Sequence, residues 1–238
     1  MEPYLFIGTI SPERAQLTDQ FTVEFRHVSS GASGRAKVSI LLNQIAVWVE
    51  SGSELDIHTL RNIVRNLVGH HLAMLGYVRG FAYDFEVTRV LNSSLGIDYV
   101  FGIDIPCISE PRKEIDIRGS LSRLRPKVSG VNGVFIQRCF SDLVSALKYA
   151  DDTGFYCYRA IESLRHHCAA VHGLSKAGKH TQWKKFRELS ECEEGCLRSI
   201  KESADPLRHA DVFGSISDDR VRLLKETWAV VDRYLERI

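Results

Sequence analysis

The sequence predicts an α+β protein: an N-terminal mixed or antiparallel β-sheet carrying one long helix, followed by a C-terminal helical bundle. Apolar and polar residues alternate through most of the first hundred positions. A single window there switches to helical spacing, and from about residue 134 helical spacing is nearly unbroken. The expected organisation is an α/β domain over 1–110, a basic linker over 111–132 and the bundle over 133–238.

Taken in order, Tyr4 and Phe6 open a first strand, and Phe21, Val23 and Phe25 alternate with Thr22, Glu24 and Arg26 in a second. Val38, Ile40 and Leu42, then Ile45, Val47 and Val49, give either two strands or one strand bent near Asn43 and Gln44, where the alternation changes phase. From Asp56 the period becomes helical through Ile57, Leu60, Ile63, Val64, Leu67, Val68, Leu72 and Leu75, with Asp56 as N-cap and Gly76 as the stop. Tyr83, Phe85 and Val87, then Ile97 to Ile105, predict a hairpin around the Asn92–Gly96 loop. In the second half Ile136, Cys139, Leu143 and Leu147 form one stripe, and Tyr158, Ile161, Leu164 and Cys168 another, with Asp151-Asp152-Thr153-Gly154 as a break or turn between them. Thr181 is expected to cap a helix bearing Trp183, Phe186 and Leu189. A segment around Leu197 and Ile200 runs to Pro206, and Ser217 to Asp219 open a last helix with Leu224, Trp228, Val231 and Leu235.

The 238 residues are 44% hydrophobic and carry a formal charge of +1, enough apolar mass for real cores but no overall basic field. Nucleic-acid binding must therefore be local. The stretch PRKEIDIRGSLSRLRPK sets Arg112, Lys113, Arg118, Arg123, Arg125 and Lys127 against two acids, reading as a solvated connector or a phosphate-contacting strip. No apolar run reaches a membrane span, and the first residues lack a leader's basic and apolar regions, so a cytoplasmic protein is expected. The six cysteines have no disulfide-scaffold spacing. Cys192 with Cys196, and the crowd of His166, His167, Cys168 and His172, raise a zinc site as an alternative, but they lack the short loop gaps such sites use, and no metal or cofactor is expected. His71, beside Leu67, Leu72 and Leu75, reads as a satisfied buried or boundary histidine before a catalyst. Phe155, Tyr156, Tyr158 and Trp183 read as core aromatics before base-stacking ones. Phosphate-loop, dinucleotide and serine-hydrolase signatures are absent from the sequence.

The runs ALKYADDTGFYCYRAIESL, DPLRHADVFGSISDD and LLKETWAVVDRYLE, with Trp183 and Phe186 between the first two, carry a family resemblance. From about Val134 to Ile238 the chain resembles the HEPN (higher eukaryotes and prokaryotes nucleotide-binding) domain, in particular its Apea-like branch. That resemblance implies a helical bundle forming a homodimer, and in many members a metal-independent endoribonuclease of toxin and antiphage systems. Active members place an Arg and a His, with four to six residues between them, near the dimer seam. There the His exchanges protons with the RNA while the Arg holds the phosphate.

At the matching position this chain has Arg208 directly followed by His209, which become the catalytic candidates despite departing from the spacing. Two other pairs keep it, Arg159 with His166 and Arg165 with His172, each seven positions apart on one helix face. RNA contacts are expected from Arg159, Arg165, Arg123, Arg125 and Lys127. Two functions follow: an RNA-binding or RNA-cleaving component of a microbial defence or toxin system, or a noncatalytic dimerisation and protein-interaction module with a degenerate site. The expected partners are a second copy through the bundle, RNA, and a protein bound by the first half, with no membrane.

Overall fold

The computed structural model describes residues 3–26, 31–53, 55–208 and 220–238. The chain divides into two compact units, residues 1–103 and 104–238.

In the first unit six strands form one antiparallel sheet in the order β2-β3-β4-β1-β5-β6. They are β1 (Tyr4–Ser11), β2 (Asp19–Arg26), β3 (Ser33–Leu41), β4 (Gln44–Ser51), β5 (Asp84–Asn92) and β6 (Ile97–Val100), and helix α1 (Ile57–Arg79) lies between β4 and β5 in the chain. Leu60, Val64, Val68 and Leu72 of α1 share one core with Phe6, Val38, Val47 and Val90 of the strands and with Phe101 just beyond β6. The phase change near Asn43 resolves into a hairpin of two strands. Leu42 and Asn43 hold positive φ angles of 47° and 67°, as a tight two-residue turn requires. Asn43 is buried because it also ties down the β1–β2 connection: its Oδ1 accepts from the Leu17 amide at 2.6 Å and its Nδ2 donates to the Pro12 carbonyl at 3.2 Å.

Asp56 caps α1 as expected, accepting from the amides of His58 and Thr59 at 2.9 and 3.0 Å. The helix does not stop at Gly76. It runs one turn further to Gly80, whose φ of 67° makes it the left-handed cap. Gly76 serves close approach instead, since a Cβ there would lie 2.6 Å from the Phe81 carbonyl oxygen. His71 is a boundary residue, stacked 3.8 Å from Phe21 and bonded to Asp19 at 2.8 Å. β6 ends earlier than its alternation suggests: Phe101 still enters the core, but Ile103 is 92% exposed.

Gly8 sits where the β1–β5 register shifts, and a Cβ there would fall 2.0 Å from the Glu86 carbonyl oxygen. Gly8→Ala is therefore expected to cost about 1–3 kcal/mol, since backbone on both strands must move. Urea denaturation of the variant checks it, and an unchanged midpoint would remove the argument.

The second unit is helical throughout its described length: α2 (Pro106–Ser109), a 3-10 turn at Glu110–Arg112, then α3 (Ile117–Lys127), α4 (Gly130–Lys148), α5 (Thr153–Val171), α6 (Lys179–Ser190), α7 (Glu194–Arg208) and α8 (Arg220–Arg237). The stretch expected to be a basic linker is folded into this unit. Asp116 caps α3 through the Gly119 amide at 3.1 Å, and Leu124 and Val128 pack against the bundle core, so apolar burial holds the segment despite its charge. Asp151 and Asp152 form a turn between two separate helices. Arg220 closes the end of α4, donating to the carbonyls of Ala146 and Leu147 at 3.1 and 2.8 Å and to Thr153 Oγ1 at 2.8 Å. Gly178, not Thr181, is the N-cap residue of α6. Ser217, Asp218 and Asp219 lie outside the described residues.

α5 is the axis of the bundle, packed against α4, α6, α7 and α8. Its close approach to α7 depends on Gly154, where a Cβ would meet the Ser203 carbonyl oxygen at 2.4 Å. Phe186, Tyr234, Ile161, Leu164 and Ile136 are fully enclosed in one core cluster, while Tyr158, Ile200, Leu223 and Leu224 form a second.

Candidate functional site

One strip of α5, Arg159, Glu162 and His166, escapes burial. These three and the buried Ser163 recur at helical spacing, and with Phe135 and Arg138 of α4 they line an open depression of about 510 Å³. The spacing that linked Arg159 to His166 in the sequence therefore corresponds to one surface feature.

Arg159 is held from three sides. Its Nη2 lies 2.9 Å from Oδ1 of Asp142, and its guanidinium sits 5.1 Å from the ring centre of Phe155 and 5.6 Å from that of Tyr156. Asp142 is only 3% exposed, and its other oxygen, Oδ2, is buried with no hydrogen-bond partner. Burial pushes this carboxyl above the ordinary carboxylate range, outweighing the opposing pull of Arg159 and Arg138.

At the other end, His166 stacks on Phe135 with ring centres 5.9 Å apart and planes 18° from parallel. Its Nε2 lies 2.8 Å from Nη2 of Arg165. Burial, then the charge of Arg165, lowers its pKa, with Lys179 adding to the effect and Glu162 opposing it. The ring is thus biased toward the neutral form that can take up a proton. The depression combines two arginines, the carboxylate of Glu162, one imidazole biased to neutrality and the half-buried ring of Phe135; the two cations outnumber the one anion, a set that can take an anionic ester.

The other expected residues lie elsewhere. Arg165 is 4% exposed and turned inward, where Nη1 donates to Gln182 Oε1, so its own pairing with His172 does not form a surface site. This follows from helix geometry, because six residues carry Arg165 well round the axis from Arg159. Arg123 and Arg125 are exposed on α3, Arg123 bonding only locally to Ser120 at 3.2 Å, while Lys127 donates to the carbonyl of Ile238. The side chain of Arg208, and all of His209, lie outside the described residues. Tyr158 is core as expected, and Trp183 packs partly buried beside it. Phe155 and Tyr156 are half-buried beside Arg159. Among the described residues no three His, Cys, Asp or Glu side chains converge as metal ligands, and no helix is long and apolar enough to cross a membrane.

Sequence reasoning missed Phe135, Arg138 and Asp142. Asp142 left a signal, an acid flanking the apolar stripe of Cys139, Leu143 and Ala146, where an unpaired carboxylate would be costly.

The fold and site define an α+β protein of two units whose helical unit bears an open depression lined by two arginines, a glutamate, a histidine and one phenylalanine. Residues 4–101 match the N-terminal domain, and residues 121–238 the C-terminal domain, of the domain of unknown function DUF8168. Together the two matches take in most of the chain, which belongs to this family. No curated protein and no solved structure matches it.

Proposed function

We propose that the second unit is a HEPN-like module that binds RNA and cleaves it without a metal, as a component of a microbial defence or toxin system. The observation that carries the reading is the convergence of Arg138, Arg159 and His166 in one depression. In this reading Arg159, pre-set by Asp142, holds the scissile phosphate as charge develops on it. His166 takes the proton of the 2′-hydroxyl, whose oxygen attacks phosphorus. The bond to the 5′-oxygen breaks, leaving a 2′,3′-cyclic phosphate, and the departing oxygen is protonated by the imidazolium or by water.

The noncatalytic reading has its own support. Val134, beside Phe135 of the depression, is 55% exposed on α4, and an exposed apolar residue at the rim suits contact with a second copy of the chain.

The test incubates full-length protein with end-labelled mixed-sequence RNA in EDTA, beside Arg159→Ala, His166→Ala and His209→Ala. Wild type is expected to give defined fragments, with loss of at least about 100-fold in His166→Ala. Loss in His209→Ala alone would move the chemistry to the Arg208–His209 end of α7. RNA binding without cleavage, or dimerisation without either, would leave the binding or scaffold reading.

A further inference from the structure

The hydrogen bonds behind His166 form a directed chain. Gln182 Nε2 donates to the carbonyls of Leu174 and Ala177 at 3.1 and 3.0 Å, which fixes the orientation of its amide. Its oxygen consequently faces Arg165 and accepts from Nη1. The Arg165 guanidinium lies 5.2 Å from the ring centre of Trp183, and its Nε is buried without a partner, so the group is fixed in place by α6. Its remaining arm, Nη2, reaches His166 Nε2 at 2.8 Å. A guanidinium has only donors to offer, so Nε2 must supply a lone pair.

We infer that Arg165 is a positioning residue, which holds His166 as the neutral imidazole with its proton on Nδ1 and covers the lone pair on Nε2. Free histidine side chains prefer the opposite tautomer, so the protein imposes this one. Protonation of Nε2 would break the contact and set an imidazolium against a buried guanidinium. The charged groups facing the ring are Arg165 and Glu162 on α5, Lys179 on α6 and Arg138 on α4. Only Glu162 among them favours the charged ring.

A consequence follows for the proposed reaction, and it rests on that reading. His166 becomes a general base only when its own exposed ring swings Nε2 off the fixed guanidinium of Arg165, and the 2′-hydroxyl of a bound RNA is the chemistry that would take up the freed lone pair. The tautomer itself does not depend on RNA.

The experiment is long-range 15N correlation of the imidazole rings in the full-length protein above pH 7, with His166 assigned by its loss in His166→Ala. Wild type is expected to show a protonated Nδ1 and a bare Nε2 at His166. In Arg165→Gln the proton should move to Nε2, and the His166 titration should rise toward the ordinary histidine value. Gln182→Ala, which leaves the guanidinium in place but unanchored, should give a mixture of tautomers. An Nε2-protonated wild type overturns the inference, as does an unchanged tautomer in folded Arg165→Gln. If Arg165→Gln does not fold, the wild-type and Gln182→Ala spectra decide. Absence of RNA cleavage beside the expected spectra would sink the catalytic reading and leave the positioning role standing.

Discussion

Arg159→Ala is expected to destabilise the protein by about 3 kcal/mol at pH 7, much more than the loss of a partly exposed arginine ordinarily costs. The reason lies in what it leaves behind. Asp142 is buried, and it forms an ion pair with Arg159 at 2.9 Å. Removing the cation strands a carboxylate that burial already disfavours. Asp142→Asn should cost only about 1 kcal/mol, because a neutral amide needs no counter-charge. In the double variant about a third of the Arg159→Ala loss should therefore return, leaving a deficit of about 2 kcal/mol instead of the about 4 kcal/mol of additive losses, a coupling energy of about 2 kcal/mol by urea denaturation. The pH dependence has a defined sign. A carboxyl whose folded pKa is raised contributes stability that is present below its unfolded value and lost as pH rises through the folded one. The deficit of Arg159→Ala should accordingly shrink as pH falls from 7 toward 4, as Asp142 takes up its proton. Additive single losses, or a deficit independent of pH, would show that the pair is not coupled.

Phe186→Ala is expected to cost about 3–5 kcal/mol. The ring is 0% exposed, 5.8 Å from Trp183 and 5.2 Å from Tyr234 between ring centres, so its removal opens a hole between α6 and α8. The backbone there has little freedom to close the gap, because Arg233 on α8 is tied to the Ser190 carbonyl of α6 at 2.7 Å. Phe186→Leu should lose less, in proportion to the volume removed. Thermal and urea unfolding of both variants check the order. A loss below about 1 kcal/mol for the alanine variant would mean that the cavity collapses, contrary to rigid packing at this contact.

The strands and helices were legible where one face of each is wet. The alternation in β2 and β3 and the stripes of α1 and α8 led directly to elements, because burial on one side writes a period into the sequence. Misplaced boundaries arose where a residue serves something distant. Gly76 reads as a stop, but it admits the Phe81 backbone. Asn43 reads as a phase error, but it anchors Leu17 and Pro12 from another loop. The 111–132 segment reads as linker because charge masks its apolar contacts, Leu124 and Val128 among them. The candidate site was half legible. Positions seven apart differ by only about 20° around a helix, so Arg159 and His166 could be paired from spacing alone. Arg138 and Asp142 could not, since they join the site only through the packing of α4 on α5.

The placement of the strip on α5 also limits how the site can respond to a ligand. A helix that touches four others cannot slide or tilt for one side chain without displacing every neighbour at once. Any response to a ligand here must be a matter of rotamers, with the exposed Arg138 and His166 turning on a stationary frame that includes Arg165. The relevant rearrangements then belong to the nanosecond motions of side chains rather than the slower motions of domains. Such a frame favours a ligand that matches it on arrival, because little chain entropy is left to lose and little strain can be shared out.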